Sequence, residues 1–591
     1  MSDSADFLRR LLDFLQREHD TAQGELDRLR ALSIEDRVLE GDCIRAAEFA
    51  AVDTDGSWRF SCRENLSRFR EGDPVLLSDG VQFEDGIEME FVRHDPVGGR
   101  LWLLPDRFAR AAAKDPPPVG TTRCVDRRTL SLGGELVRVV EAAFQTPDAG
   151  PVAVLRGRIQ PQFHPERRHK ALELGRRLGL DESQVQAYAD GIATETYCLI
   201  QGPPGTGKTR VAAEILRTLV RAHNCRVAVT AFTHRAVNNV LLAVRRADPS
   251  VFCIKIGDGR NADELRRAGV EVLRDARKLR LPDQGGVVVG GTAFALAKIP
   301  SEQRFHFSLF DEAGQIPLPH AFPGMMLARR WIFLGDHQQL QPVVQGEHRD
   351  EVVTRSVFAH LQAQHPARML TVSYRMNQAI CAFVGDAFYD GRLTAAPAVA
   401  QRKLALRPGG AFRELLDPEH PLVVGLTPHV GRLMRSPEEA GIAARLVEEL
   451  VLRHGLRMEE VAVVSPFRAQ NALIEGLLRQ HARLTLVDTV ERIQGQEREV
   501  VIVSLTASDP DYLTRRADFF YSLNRINVAI SRARSKCIVL GSRSVFRGRS
   551  LDVQHLRAMS LFSRIVREWH CVPVAIPAGV DAAAGSPGTG R

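Results

Sequence analysis

The chain has 591 residues, 44% of them hydrophobic, which is enough for several domains with sizeable cores. Its net charge of +7 is compatible with a polyanionic partner but does not by itself show one. The nine cysteines form no Cys-x-x-Cys pair, which argues against zinc and iron–sulfur sites. The acidic N-terminus lacks a signal-peptide core and no apolar run is long enough to span a membrane, so we expect a cytoplasmic protein without a membrane partner.

The N-terminal 179 residues are predicted to form an accessory region. Leucines and phenylalanines at helical spacing predict a stalk helix in residues 1–34. Between residues 35 and 110 the period changes to two, as from Ile87 to Phe91, which predicts a small antiparallel sheet or β-barrel. Residues 111–179 contain a further helical pattern and are assigned as stalk and linker helices.

The stretch from Tyr197 to Thr209, YCLIQGPPGTGKT, organises the rest of the chain. A short apolar run, typical of a buried parallel strand, leads into G-x-x-x-x-G-K-T, and a helical pattern follows. Glycines allow a tight turn whose backbone N–H groups point at phosphate oxygens, while Lys208 can reach the β- and γ-phosphates and the Thr209 hydroxyl can ligate Mg²⁺. The predicted nucleotide-binding residues of this loop are Gly202, Pro203, Pro204, Gly205, Thr206, Gly207, Lys208 and Thr209.

Strands and helices then alternate through two successive rounds, which is typical of doubly wound parallel sheets and predicts an α/β fold. The first round defines a domain at 180–366, and the second, without a phosphate loop, defines one at 367–572. Residues 573–591 are rich in Ala, Gly and Pro and are predicted to be disordered. The predicted strands are Val227–Phe232, Val251–Ile256, Val287–Gly290, Phe307–Asp311, Trp331–Gly335, Leu422–Leu426, Val461–Ser465, Leu484–Val487, Val500–Leu505 and Cys537–Gly541.

Two acids follow the apolar strand that begins at Phe307. At the carboxyl end of that strand, Asp311 can hold Mg²⁺ through water beside Thr209, and Glu312 can orient and deprotonate an attacking water molecule. Glu312 favours transfer of the phosphoryl group to water, although the spacing alone does not exclude a kinase.

Seven stretches, in this order, resemble the motifs of superfamily 1 helicases: GPPGTGKT, DEAGQ, GDHQQLQP, SYRMN, SPFRAQ, DTVERIQGQERE and NVAISRARSK. Their order and spacing are similar to those of the branch that includes the eukaryotic up-frameshift helicase, the immunoglobulin-μ-binding helicase and the helicase half of the replication nuclease-helicase. The resemblance extends from about residue 180 to the last predicted strand. It implies two RecA-like parallel-sheet domains with an N-terminal helical stalk and a small β-barrel.

The resemblance also implies individual roles at the nucleotide. Gln184 resembles the glutamine that reads the adenine edge, and Tyr374 resembles the tyrosine that stacks on adenine. Gln339 resembles the sensor of the γ-phosphate, and Glu497 the residue that contacts the ribose.

Arg375 and Arg532 resemble two arginine fingers that reach the γ-phosphate from the second domain, where a guanidinium can neutralise phosphoryl charge. A structural salt bridge is the alternative for either arginine alone. If the segment around Arg532 is helical, Arg534 points to the other side of it and is expected to matter less.

Contacts with nucleic acid are implied for Thr233, His234, Thr292, Thr489 and Gln494. For Thr233 the alternative is that its hydroxyl caps a helix.

These implications predict an ATP- and Mg²⁺-dependent helicase or translocase that moves 5′ to 3′ on single-stranded DNA or RNA, as a monomer. Three alternatives stay open. One is an ATPase that clamps or remodels nucleic acid without unwinding it, the second is a small-molecule phosphotransferase, and the third is a nucleic-acid-binding module with a degenerate ATP site.

Overall fold

The computed structural model describes residues 3–62, 65, 67, 69, 72–95, 98–105, 115–128, 133–146, 150–257, 262–478, 485–548 and 552–576. The predicted disordered tail lies outside the described residues from position 577 onward. The chain divides into two compact units, Met1–Pro147 with Val343–Thr354, and Asp148–Pro342 with Arg355–Arg591. Every helix in the described ranges is too short or too polar to cross a membrane.

The first unit combines a long helix with a barrel. The predicted stalk helix is present as α1, and it buries Phe7, Leu8 and Leu11 on one face. The carboxylate of Glu18 on α1 accepts hydrogen bonds from the backbone N–H groups of Gln345 (3.0 Å) and Gly346 (2.7 Å), which fastens the segment 343–354 to the helix. The helices are α1 (Asp3–Ala31), α2 (Ile34–Glu40), α3 (Gly133–Ala142) and, numbered in chain order, α12 (Glu351–Thr354). The strands are β1 (Cys43–Val52), β2 (Trp58–Ser61), β3 (Pro74–Ser78), β4 (Ile87–Asp95), β5 (Arg100–Pro105) and β6 (Thr122–Arg127).

These six strands close into an antiparallel barrel in the order β1-β2-β5-β4-β3-β6. The prediction placed the β-region at 35–110, and this limit is wrong, because β6 lies beyond it and pairs with both β1 and β3. Without β6 the sheet would keep two open edges with unpaired N–H and C=O groups. The closing strand follows a long connection, so the alternating pattern that ends at β5 does not reveal it.

The second unit contains two parallel sheets. The first has the order β10-β9-β11-β8-β12-β13-β7-β14, and all of its pairs are parallel. Its strands are β7 (Tyr197–Gln201), β8 (Arg226–Thr230), β9 (Cys253–Ile256), β10 (Glu271–Leu273), β11 (Val287–Gly290), β12 (Phe305–Phe310), β13 (Ala328–Gly335) and β14 (Arg368–Met369). The helices around it are α4 (Gly150–Leu155), α5 (Pro165–Arg177), α6 (Glu182–Ala193), α7 (Lys208–Arg221), α8 (His234–Ala247), α9 (Asp263–Arg267), α10 (Ala293–Leu296), α11 (Leu318–Leu327) and α13 (Val357–Gln362).

The second parallel sheet has the order β19-β18-β20-β21-β17-β22, beside a small pair, β15 with β16. The strands are β15 (Val372–Ser373), β16 (Thr394–Ala395), β17 (Leu422–Thr427), β18 (Val461–Val464), β19 (Leu486–Asp488), β20 (Arg498–Ser504), β21 (Ala533–Ser542) and β22 (His570–Pro573). The helices are α14 (Gln378–Phe388), α15 (Pro397–Ala400), α16 (Arg413–Leu416), α17 (Pro437–Glu448), α18 (Arg468–Leu477), α19 (Val490–Ile493), α20 (Pro510–Arg515), α21 (Ala517–Phe520), α22 (Leu523–Ile530), α23 (Arg543–Phe546) and α24 (Val553–Glu568).

The predicted α/β fold with two parallel sheets, a helical stalk and a small barrel is confirmed, with strand ends shifted by a few residues. Position 484, where one predicted strand begins, lies outside the described residues. The first sheet domain extends beyond the predicted boundary at 366, because β14 pairs with β7. Strands β7, β12 and β13 are neighbours in this sheet, so the loops that follow them meet at one edge.

Candidate functional site

The phosphate loop joins β7 to α7 and needs its glycines for two separate reasons. Gly205 and Gly207 have φ angles of 75° and 79°, which residues with a side chain rarely adopt. A Cβ atom at Gly205 would lie 2.5 Å from the Cβ of Arg375, and one at Gly207 would lie 2.6 Å from the Nε2 of Gln184. The loop is therefore packed against two other residues for which nucleotide contacts are predicted.

Lys208, the first residue of α7, forms an ion pair with Glu312 at 2.9 Å between Nζ and Oε1. Burial opposes both charges, but the pairing outweighs it, so the pKa of Lys208 is raised and the pKa of Glu312 is lowered. Glu312 also has a left-handed backbone, with φ 50°, which is uncommon for a residue with a side chain and is found most often at functional sites. Both groups therefore carry their charges before any nucleotide is bound.

Asp311 follows β12 and is buried, and its Oδ1 atom has no hydrogen-bond partner among the described residues. Burial raises the pKa of this carboxyl to about 6, against the opposing effect of the Lys208 ammonium. A buried carboxylate oxygen without a donor is costly unless a cation or a proton compensates it. Together with the half-buried hydroxyl-bearing Thr209 on α7, it offers the hard oxygen ligands that Mg²⁺ prefers, so these residues fit the predicted metal.

Arg532, from the second sheet domain, is 2% exposed and donates only to neutral oxygens. Its partners are the carbonyl groups of Val528 (3.1 Å) and Gln496 (3.4 Å) and the Oε1 of Gln339 (3.0 Å). Burial lowers the pKa of Arg532 to about 9. The structure thus holds a buried cation that has no carboxylate partner within the described residues, at the edge of the first sheet.

Arg375 is held differently, because its Nε donates to the Oε2 of Glu497 at 2.8 Å and its Nη1 to the carbonyl of Ser531 at 3.1 Å. The other oxygen of Glu497 accepts from the Nε of Arg534 at 3.0 Å. The carboxylate predicted to contact ribose therefore bridges two arginines.

The segment around Arg532 is not helical, so the condition under which Arg534 was expected to matter less is not met. Helix α22 ends at Ile530 and strand β21 begins at Ala533, so Arg534 lies at the start of a strand.

The two residues predicted to bind adenine meet at Asp181, the N-cap of α6. Gln184 accepts from the backbone N–H of Asp181 and donates from Nε2 to the carbonyl of Thr206 in the phosphate loop (2.9 Å). Tyr374 donates its hydroxyl to Asp181 Oδ2 (2.9 Å) and its backbone N–H to the Gly205 carbonyl (2.8 Å), and its side chain is partly exposed. The structure therefore brings both side chains to the loop, while their roles toward adenine stay predictions.

The predicted nucleic-acid contacts of the first domain follow strands β8 and β11. The Thr233 hydroxyl accepts the N–H three residues further on and caps α8, which is the alternative stated for it. His234 Nδ1 lies 3.1 Å from the ammonium of Lys255, a buried lysine whose pKa burial lowers to about 8. Thr292 is buried at the start of α10.

In the second domain, Thr489 and Gln494 flank the short helix α19 after β19. The Nε2 of Gln494 is buried without a hydrogen-bond partner among the described residues. Thr489 and Gln494 thus lie in the segment after a strand of the second sheet, and Thr233 and Thr292 lie in the segments after strands of the first sheet.

Several residues around Gln339 were not predicted. Its Nε2 donates to Asp336 Oδ2 at 2.7 Å, and the same oxygen accepts the hydroxyl of Tyr389 at 2.6 Å. Asn524 and Asn527 on α22 donate to backbone carbonyls of the loop that contains Gln339. Asn527 is the first residue of the stretch NVAISRARSK, so its position in a helicase-like motif could have indicated a role at the site. Tyr389, in contrast, lies in none of the seven stretches.

The sequence of the chain is similar to those of known helicases. Two family models, both described as an AAA domain, match residues 179–280 (AAA_11) and 353–544 (AAA_12). The DNA replication ATP-dependent helicase/nuclease DNA2 of Xenopus laevis is 31% identical over 397 residues, which cover 61% of this chain and 37% of that protein. The chain is thus similar to superfamily 1 helicases, and in particular to part of the DNA2 helicase/nucleases. The dna2 protein of Schizosaccharomyces pombe is 27% identical over 64% of the chain, and human DNA2 is 28% identical over 61%.

The matches with these relatives span only 28% of the Schizosaccharomyces pombe protein and 37% of the human protein. The similarity therefore does not extend over the whole of either relative.

Proposed function

We propose that the chain is an ATP-dependent helicase or translocase that moves 5′ to 3′ along single-stranded nucleic acid. The observation that supports this most strongly is the hydrogen bond of 3.0 Å between Arg532 Nη2 and Gln339 Oε1. It connects an arginine of the second sheet domain to the edge of the first sheet, where the phosphate loop lies. A motor needs such a nucleotide cleft between two domains, whereas a small-molecule phosphotransferase does not need the second domain.

The ion pair between Lys208 and Glu312 suggests how binding prepares hydrolysis. When the phosphate oxygens of ATP take over the Lys208 ammonium, the Glu312 carboxylate is released to orient water and accept its proton. In this proposal Thr209 and Asp311 would hold Mg²⁺, which supplies positive charge for the phosphate oxygens. The proposal explains why Lys208 and Glu312 are both charged and in contact.

The two arginines serve different purposes in this mechanism. Arg532 has only neutral acceptors, so its full charge is available for the γ-phosphate, whose negative charge would also compensate for the burial of the guanidinium. Arg375 is held by Glu497 beside the phosphate loop and can share in the same stabilisation. Gln339, between Arg532 and Asp336, is suited to sense whether the γ-phosphate is present.

For the nucleic acid we propose DNA, because the relatives are named as DNA replication helicase/nucleases. Thr233, His234, Thr292, Thr489 and Gln494 are proposed to contact the strand. Sequence-independent contacts of this kind go mainly to the phosphate backbone. A monomeric state and a cytoplasmic location stay predictions from the sequence.

Strand displacement on tailed duplexes tests this proposal. We expect ATP-dependent unwinding of a duplex with a 5′ single-stranded tail and much less unwinding with a 3′ tail. Glu312→Gln should bind ATP and fail to unwind. Glu302→Gln, an exposed acid before the amino end of β12, is the matched control and should unwind normally. Unwinding by Glu312→Gln at the wild-type rate, or a preference for the 3′ tail, would refute the mechanism or the polarity respectively.

A further inference from the structure

A buried chain of hydrogen bonds joins the two sheet domains behind Gln339. Asp336 directly follows β13 in the first domain, and its Oδ2 accepts both the Gln339 amide (2.7 Å) and the Tyr389 hydroxyl (2.6 Å). Tyr389 is the residue after α14 in the second domain and is 1% exposed. One carboxylate oxygen thus connects the sensor glutamine of one domain to a tyrosine of the other.

The direction of these hydrogen bonds follows from the environment of Tyr389. Burial and the adjacent Asp336 carboxylate hold the pKa of Tyr389 well above its usual range, so the hydroxyl stays protonated and donates a hydrogen bond to Asp336. The hydroxyl oxygen accepts from Asn527 Nδ2 at 2.9 Å, and that same amide donates to the carbonyl of Gln338 at 2.7 Å. Tyr389 is therefore fixed from α22 as well as from the first domain.

Helix α22 also holds the backbone of this loop. Asn524 Nδ2 donates to the carbonyl of His337 at 2.9 Å and to the carbonyl of Gln339. The same helix is followed by Arg532, whose Nη2 donates to Gln339. Side chains of α22 thus contact the backbone carbonyls of three consecutive residues of the loop.

The contact with Asp336 decides which way round the Gln339 amide lies. Because a carboxylate only accepts hydrogen bonds, the NH₂ group of Gln339 must face it, and the amide oxygen then faces the guanidinium of Arg532. With the amide turned over, an NH₂ group would face the guanidinium and both groups would be donors. The position of Asp336 therefore determines whether Arg532 has an acceptor in the first domain.

We propose that Tyr389 is a positioning residue for ATP turnover, and this inference rests on the function proposed above. Its hydroxyl holds the Asp336 carboxylate in the orientation that presents Gln339 to Arg532 as the two domains close on ATP. Tyr389 contributes to the rate of the chemical step and not to the affinity for ATP.

Removal of the hydroxyl alone tests the inference. Tyr389→Phe should lower kcat for ATP hydrolysis about tenfold or more, since a hydrogen bond to a charged group is worth roughly 1.5–3 kcal/mol. The KM for ATP and the Kd of a non-hydrolysable ATP analogue should change less than about twofold, because no contact with the phosphate loop is lost. A purely structural role would instead lower the thermal unfolding midpoint and the fraction of protein that binds the analogue, while kcat calculated per analogue-binding site would stay at the wild-type value.

Tyr521→Phe is the matched control, because Tyr521 is also a buried tyrosine of the second domain, but its hydroxyl donates to the carbonyl of Val545 in the same domain. Its kcat should equal that of the wild type. If Tyr389→Phe folds poorly, Asn524→Ala provides a second route to the same loop, and it should also lower kcat with little change in KM.

A double-mutant cycle with Gln339→Ala shows whether Tyr389 acts through Gln339. In the Gln339→Ala background, Tyr389→Phe should reduce kcat by less than about twofold. The same reduction in both backgrounds, or a wild-type kcat for Tyr389→Phe, would overturn the inference. A wild-type protein whose ATP hydrolysis does not respond to nucleic acid would instead count against the proposed function, so the two failures are distinguishable.

Discussion

Replacing Arg532 with methionine should separate catalysis from stability. Burial lowers the pKa of Arg532 to about 9 from an ordinary value of 12.5, and each factor of ten in the proton equilibrium corresponds to about 1.4 kcal/mol. The folded protein therefore holds this cation at a cost on the order of a few kcal/mol. The variant loses three hydrogen bonds donated by this charged group, each worth roughly 1.5–3 kcal/mol, so the loss offsets the relief of burying the charge and we expect only a small net change in stability.

The rate of ATP hydrolysis, unlike the stability, should fall strongly in Arg532→Met. An arginine that meets the γ-phosphate in the transition state is worth about 10³–10⁵ in rate, so Arg532→Met should hydrolyse ATP slower by that factor. Binding of a non-hydrolysable analogue should stay within a few-fold of the wild type. Steady-state hydrolysis, fluorescence titration with a labelled analogue and thermal unfolding measure the three quantities on the same preparation.

Arg245→Met is the matched control, since Arg245 also donates to backbone carbonyls, those of Ala268 (2.7 Å) and Val251 (2.7 Å), but lies on α8 outside the nucleotide cleft. This variant should keep its turnover and lose some stability. The reasoning about Arg532 is refuted if Arg532→Met lowers the unfolding midpoint as much as Arg245→Met does and retains more than about a tenth of the wild-type rate.

Three further predictions follow from the same contacts. Glu312→Gln should bind ATP and hydrolyse it roughly 10²–10⁴-fold more slowly. Lys208→Ala should instead weaken the binding of an ATP analogue. Equal losses of binding affinity for the two variants in isothermal titration would contradict this division of roles. The logarithm of the association constant for single strands should fall linearly with the logarithm of the salt concentration, with a slope near −0.7 per phosphate contact. An association constant that is flat between low and physiological salt would exclude a phosphate-backbone mode. Burial lowers the pKa of Lys536 to about 7, so the unfolded chain binds that proton more tightly from pH 7 to 10 and stability should rise with pH there. The unfolding midpoint of Lys536→Met should rise less between pH 7 and 9 than that of the wild type, and an equal rise in the two proteins would contradict the assignment.

The positions of the residues proposed to bind nucleotide were largely predictable, because short stretches of sequence specify their local structure. A glycine-rich loop between a strand and a helix has few structural alternatives, and an acid after an apolar strand lies at the same edge if the strands are parallel. The loops that carry Lys208, Asp311 and Gln339 do follow neighbouring strands in the first sheet. The local sequence pattern and the parallel topology together were sufficient to predict that these residues lie at one edge of the sheet.

The residues that the sequence did not reveal depend on contacts between distant parts of the chain. Tyr389 has no motif around it, and its importance arises only when α14 is placed against the loop after β13. The pairing of Arg534 with Glu497 could not be anticipated either, because the helical pattern ends before the arginine. The closing strand β6 of the barrel was missed for the same reason, since its partners β1 and β3 are remote in sequence.

The rate of ATP hydrolysis with and without single-stranded DNA, next to RNA of matched length, tests the central claim most directly. The proposed motor predicts a rate that rises with single strands until they saturate the protein, with inorganic phosphate as the product, and a rise that is lost in Arg532→Met. A wild-type rate that is the same with and without nucleic acid, or transfer of the γ-phosphate to the hydroxyl of a small molecule instead of water, would contradict the account.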